Sequence, residues 1–595
     1  MLKPTKIALF ITGISCAAQI QAAGYVVEEL PSGNAHKSIG IAINDQNDVA
    51  GMLLGKDSFP VRKDLLKIDE NGESTDEFVE WIRHFERDST LRSLGERRLT
   101  DAEKDRIIND FNSSNETLDS FSATYAVKYL SLSWRKTNYY FQKVGDQYGF
   151  VIKNANALKE TSIEEDKNRS TKIQFNGLNQ QGVAVGFHSA PYEFITNLDY
   201  DTTDGGNKLV NIWQQQYRRR ALLADGDKVI TLTPDETGTG GYSSFTDINN
   251  SGTVVGSMST QLTEYAKKKT TNQDEKCVKF EPKGRLGCFH TSYGNRALFL
   301  TEAYQWTYQN GALVDAKPLG LAASEAEIAK ISKDDNSNYF FSEPYAVNQS
   351  GVAVGVANTF VDGDVIRNHL ALFRDGQVIS VSDSTKWFNS TATDINDNGL
   401  MVGYAIKDVG DGVLRTKSFV YDAMTLNASH IGDDDVSFLP SFANRTNIYA
   451  NAINNQKQIV GRAETTFQTP IPIRGYLYDM ENKQLTNLDE TTSCEQQSQY
   501  TIIDAVDINN DGVILANAIK LIDRKDDSGE LILDANGKKT QVETTVSIRM
   551  THSDAVKACG KRLRKDGVNS INDDNGSFGI FSILLFGLFR LIRRI

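Results

Sequence analysis

Cysteine and histidine are scarce in this chain, at five and seven among 595 residues. No Cys-x-x-Cys and no His-Glu-x-x-His occurs, which removes the common zinc and dithiol redox motifs. There is no Gly-x-Ser-x-Gly elbow, no phosphate loop ending in Gly-Lys-Ser/Thr and no dinucleotide fingerprint, so no catalytic residue is assigned and no organic cofactor is expected. Positive charge is in deficit: 64 Lys and Arg against 77 Asp and Glu leave a net charge of −13, which would repel nucleic acid. Arg218-Arg219-Arg220 is a local exception, read as a solvated edge.

What the chain does have is repetition. An apolar residue, Asn, two polar residues, usually Gly, and four more residues of which the last is usually Gly recur seven times. The copies are Ile43-Asn44…Gly51, Leu178-Asn179…Gly186, Ile248-Asn249…Gly256, Val347-Asn348…Gly355, Ile395-Asn396…Gly403, Ile453-Asn454…Gly461 and Ile508-Asn509…Ala516. Asn and Gly tolerate the left-handed backbone of tight turns, and the Val/Ala residues that follow suit a buried strand. Each copy therefore predicts a hairpin. A second apolar run with an Asp/Asn-Gly-type turn follows most copies, as at Ala221–Gly226 and Ala371–Gly376. Two hairpins per repeat make a four-stranded propeller blade.

The reading is an all-β, seven-bladed propeller over residues 24–560, with an open solenoid as the structural alternative. Tyr25–Leu30 looks like a lone strand that completes the last blade, next to Thr544–Met550, and hides its edge. Insertions are expected at about 56–120 and 258–296. In the first, Ser74-Thr75-Asp76-Glu77 and Thr100-Asp101-Ala102-Glu103 read as capping boxes opening two helices. Trp81, Phe85 and Phe111 would pack this hairpin onto a blade, or line a lid over the axial opening.

The repeat also yields calcium-like strings, Asp507-x-Asn509-x-Asp511, Asp394-x-Asn396-x-Asn398 and Asp247-x-Asn249-x-Ser251. An EF-hand loop needs a twelfth-position acid, and Ala518 stands there in the first string. The turn reading is preferred, with Asp507, Asn509 and Asp511 kept as a weak Ca²⁺ candidate.

The pattern resembles the family of probable extracellular proteins with HAF repeats, which implies export and a β-rich surface protein but no reaction. Asn47, Lys457 and Ala516 depart from it where Gly is expected.

Lys3, Lys6 and the apolar stretch from Ile7 to Ala18 read as a signal peptide over 1–23, cut by signal peptidase near Ala22 or Ala23. Cys16 leaves with it. Cys277, Cys288, Cys494 and Cys559 then form an even set in an oxidising compartment, where three connectivities are open. Pairing Cys277 with Cys288 would staple the second insertion, and Cys494 with Cys559 would tie the C-terminal segment to the last blade. After a linker at 561–577, the apolar segment 578–595 with Arg590, Arg593 and Arg594 suggests membrane contact, transient or as a transmembrane anchor. This tail resembles the GlyGly C-terminal sorting signals cut by rhomboid-type proteases of Gram-negative bacteria, with Gly576-Ser577 where the glycine pair belongs.

The expectation is an exported module in the envelope, on the surface or secreted, that binds a surface glycan or protein. The alternatives are a polysaccharide hydrolase or lyase working on the propeller face, and a membrane-anchored assembly factor.

Overall fold

The computed structural model describes residues 23–560 apart from 34, 57–60, 68–73, 86–98, 133–139, 146, 154–156, 164–169, 202–205, 235–238, 272–276, 281, 294–297, 331–338, 362–364, 381–386, 425–434, 468–470, 524–530, 532–536 and 540. The expected signal peptide, apart from Ala23, and the expected sorting tail with Gly576 and Ser577 lie outside these residues.

Strand β1 (Ala23–Glu29) precedes the first blade, which is β2 (Ala35–Ile43), β3 (Val49–Lys56), β4 (Gln147–Lys153) and β5 (Ala157–Glu160). The second blade is β6 (Ile173–Leu178) and β7 (Ala184–His188), then, past a separate hairpin of β8 (Glu193–Asp201) and β9 (Asn207–Gln214), β10 (Arg220–Asp225) and β11 (Lys228–Leu232). The third is β12 (Ser243–Ile248), β13 (Thr253–Leu262), β14 (Phe299–Gln309) and β15 (Ala312–Gly320), and the fourth β16 (Ser342–Val347), β17 (Ala353–Val361), β18 (Val365–Arg374) and β19 (Gln377–Ser380). The fifth is β20 (Trp387–Ile395), β21 (Leu400–Asp408), β22 (Leu414–Asp422) and β23 (Ser437–Phe438), and the sixth β24 (Ile448–Ile453), β25 (Gln458–Glu464), β26 (Ile473–Asp479) and β27 (Gln484–Asn487). The seventh, β28 (Tyr500–Ile508), β29 (Ile514–Asp523) and β30 (Gln541–Lys557), takes β1 as its fourth strand. The molecule is a seven-bladed β-propeller, closed by its N-terminal strand from Ala23↔Lys557 to Glu29↔Ile548.

The repeated Asn explains the closure. Asn396 Oδ1 accepts from Leu400 N at 2.9 Å, and its backbone carbonyl accepts from Gly399 N at 3.0 Å, which folds the turn. The residue three after each repeat Asn has a left-handed backbone, with φ from 61° at Lys457 to 84° at Gly252. Asn47 and Lys457 adopt it without Gly, at φ 63° and 61°.

The Asn Nδ2 then reaches the next blade. Asn44 donates to Asn179 O (3.0 Å), Asn179 to Asn249 O (3.4 Å), Asn249 to Asn348 O (2.9 Å) and Asn348 to Asn396 O (3.3 Å). Asn396 donates to Asn454 O (3.0 Å), Asn454 to Asn509 O (3.0 Å) and Asn509 to Asn44 O (3.1 Å), so the circle closes. A second circle runs one residue on, where each backbone N–H donates to the next blade's side chain: Asp45 to Gln180, then Asn250, Gln349, Asp397, Asn455, Asn510 and back to Asp45.

Every innermost strand bulges three residues before its ring Asn, as the shifts at Gly40/Ala42 and Ala392/Asp394 illustrate. The bulge presses backbone against the closing Gly of the repeat. A Cβ at Gly403 would stand 2.1 Å from Thr391 O and one at Gly186 1.9 Å from Gln174 O, which leaves no room for another residue.

Apolar cores lie between neighbouring blades. Val185, Ala221 and Leu223 of the second meet Phe245, Ile248, Val254 and Trp306 of the third, with Phe245 edge-on to Trp306 at 5.0 Å.

Candidate functional site

The axial channel draws on all seven blades, at the bulged residue and the one after it. Its lining includes Asn176, Thr246, Asp247, Tyr345, Thr393, Asp394, Asn451 and Asp507 beside the apolar Ile41 and Val506. These polar groups have work between blades. Asn176 Nδ2 donates to Phe245 O (2.7 Å), Thr393 Oγ1 to Ala450 O (3.1 Å) and Asn451 Nδ2 to Ala505 O (2.8 Å).

The calcium-like residues fall in the same network. Asp507 Oδ1 accepts from Ile508 N and Oδ2 from Ile43 N, both at 2.8 Å. Asp394 serves Ile395 and Ile453 in the same way, and Asp247 serves Ile248 and Val347. Asn509 Oδ1 accepts from Asp511 N and Val513 N. With these oxygens turned to backbone N–H groups, Asp507 and Asn509 build the turn and the seam. Among the described residues no group of three or more His, Cys, Asp or Glu could hold a metal ion.

The three largest insertions share a topological position. The segments 57–146, 189–219 and 263–298 all connect the second and third strands of their blades, in the first three blades of the ring, so they emerge on one face. The first runs past the expected 120 because a third helix, Ser120–Leu130, joins Glu77–Arg83 and Asp101–Asn112. Phe78, Phe85 and Phe111 pack with Ile82, Ile107 and Tyr129 into a core of the insertion's own rather than onto a blade. Thr100 and Glu103 form the expected capping box, whereas Asp76 caps without a side-chain hydrogen bond and Ser74 takes no part. Lys63 Nζ closes the far end of Asp101–Asn112, donating to Ser113 O (2.9 Å) and Asn115 O (3.1 Å). The hairpin β8–β9 has no forerunner in the repeat pattern, and only its position in an over-long repeat could have signalled it.

These insertions are joined into one cap. Arg62 lies over the Phe194 ring at 5.0 Å, linking the helical segment to the hairpin. Leu198, Val210 and Ile212 pack with Phe280 and the Cys277–Cys288 disulfide of the third insertion, and Asp201 N donates to Lys279 O at 2.9 Å. Lys267, Lys268 and Lys269 sit on the helix Glu264–Thr271, where Lys267 pairs with Glu264 at 2.9 Å.

The second disulfide, Cys494–Cys559, holds the chain just beyond β30 to the short helix Cys494–Gln499. Gln496 of that helix donates to Val27 O on β1 at 3.0 Å, so the bridge stands beside the ring closure. Two disulfides suggest an oxidising environment. No helix among the described residues is long and apolar enough to cross a membrane.

Of the arginine triplet, Arg218 is exposed, but Arg219 and Arg220 are no solvated edge. Arg219 lies over Phe187 at 3.8 Å and donates to Tyr242 OH at 2.9 Å, and Arg220 lies over Tyr217 at 3.8 Å.

A sequence profile described as "Protein of unknown function (DUF3466)" matches residues 1–594. No curated protein matches the chain. Among solved structures, a protein of unknown function from Dyadobacter fermentans is similar at 11% identity, covering 64% of this chain and 95% of its own with a TM-score of 0.31. The β-propeller domain of the Trilobed protease from Pyrococcus furiosus is similar at 10% identity over 57% of this chain and 86% of its own, with a TM-score of 0.25. A thermostable family-43 glycoside hydrolase is similar at 9% identity over 54% and 92%, with a TM-score of 0.23.

Proposed function

The chain belongs to the DUF3466 family, proteins of unknown function, and from that premise we propose that it is an exported propeller acting as a binding module whose recognition surface is the cap. One observation carries the reading: the insertions of the first three blades converge on one face and pack into a single body. The polar groups of the axial channel, by contrast, are engaged in holding blades together. A loop cluster on a rigid scaffold suits recognition. The ligand class is a polymer of the bacterial surface, met outside the cytoplasm. Export is supported by the two disulfides and by the signal-like first residues; the tail would bring the chain to the inner membrane before release or anchoring.

The test is a panel of purified surface polysaccharides probed with the mature protein, alongside its intact mass before and after reduction. Retention on one polymer without new reducing ends, at a mass that starts near Ala23 and falls by two disulfides' worth of hydrogen in the oxidised form, is the expected result. New reducing ends would instead establish the hydrolase or lyase, and an uncut first segment in a cytoplasmic fraction would refute export.

A further inference from the structure

Where β7 and β10 flank the β8–β9 hairpin, two buried polar atoms have no hydrogen-bond partner: His188 Nε2 and Arg220 Nε. The contrast with the ring, where donors and acceptors are matched blade by blade, is sharp. Each such atom in a dry interior costs about 1–3 kcal/mol, which an occupant would relieve.

Three of the groups there are fixed relative to one another. His188 and Arg220 face each other across β7 and β10, the His188 ring stands edge-on to Tyr217 at 5.7 Å, and the Arg220 guanidinium covers Tyr217 at 3.8 Å. His188 is 1% exposed. Its Nδ1 lies 3.0 Å from Ser189 O, a carbonyl that can only accept, so Nδ1 carries the proton and Nε2 is left as an acceptor. Arg220 is half-buried, and among the described residues no carboxylate pairs with it; Arg218 and Arg219 beside it add positive charge. Arg219 is satisfied by Tyr242, which singles out Arg220 within the triplet.

We propose that His188, Tyr217 and Arg220 form a binding site for a hydroxycarboxylate, a sugar acid in chemical class, with its carboxylate on Arg220 and a hydroxyl donating to His188 Nε2. The carboxylate compensates the guanidinium and the hydroxyl satisfies the imidazole acceptor. The site goes beyond the cap reading and does not need it, because a free acid binds here or fails to whatever polymer the cap captures.

Calorimetric titration of the full mature chain with glucuronate, its neutral methyl ester and glucose tests the site, with a uronic-acid oligomer as a further arm. Glucuronate should bind, and ester and glucose should not. Arg220→Gln should weaken binding about ten- to a hundredfold, the range expected for losing a hydrogen bond to a charged group, and Arg220→Lys should restore part of it; melting curves of both variants confirm that they fold. Oligomer binding with the same dependence on Arg220 would identify a polymer unit, and binding of the monomer alone a free acid. No glucuronate binding, equal binding of the ester, an unchanged Arg220→Gln variant, or ordered water alone at His188 in a glucuronate-soaked crystal would each overturn the proposal.

Discussion

A single side chain type does most to define this molecule. Each ring Asn is almost fully buried, joins its own turn through Oδ1 and reaches the next blade through Nδ2. Replacing Asn396 by Ala leaves Leu400 N and Asn454 O without these partners, and we expect a loss of about 2–4 kcal/mol in urea titration. The same loss should appear with calcium or with a chelator, since both side-chain atoms of the Asn are engaged with backbone. The turn chemistry was legible in the sequence; the inter-blade donor was not, because a repeat records what recurs and not what it touches. The two buried histidines, His188 with an unpartnered Nε2 and His369 with neither ring nitrogen partnered, were invisible for the same reason. Burial is the main cause that lowers both from 6.5 to about 4, with Arg220 and Arg367 adding repulsion. The fold therefore favours neutral imidazole, and its contribution is intact above pH 6.5 and lost as pH falls through about 4. The penalty is on the order of 3 kcal/mol per histidine at the acid end. Denaturation from pH 7.5 to 4.5 should show the decline, and His369→Leu should flatten it without loss at neutral pH, since neither ring nitrogen has a partner to forfeit.

Among elements, β1 and the insertions deserve contrast. The lone strand before the first repeat was readable as the missing fourth strand of the last blade, because the count of strands demanded one. The third helix Ser120–Leu130 and the hairpin β8–β9 were not readable, since they lie in insertions within a blade that the repeat does not record; the helix packs inside its own insertion and the hairpin on the other two. The bridge Cys494–Cys559 closes a separation of 65 residues and should contribute about 2–4 kcal/mol. The double variant Cys494→Ser/Cys559→Ser should melt earlier and exchange amide hydrogen faster in β1 and β30. Cys277→Ser/Cys288→Ser, with a separation of 11 residues inside the cap, should loosen the cap and leave β1 protected.

The whole molecule divides between what repeats and what does not. Repeated residues build a closed ring and line its axis, while the unrepeated segments of the first three blades build the cap, so stability is expected to reside in the one and recognition in the other. The most direct test of this division measures melting and polysaccharide binding together on two variants: Asn396→Ala in the ring, and a hairpin trimmed between Asn197 and Val210 in the cap. The ring variant should melt earlier yet bind the captured polymer as the wild type does while folded, whereas the trimmed cap should keep the main melting transition and lose the polymer. Polymer binding that survives the trimmed cap but disappears with the ring Asn would contradict it.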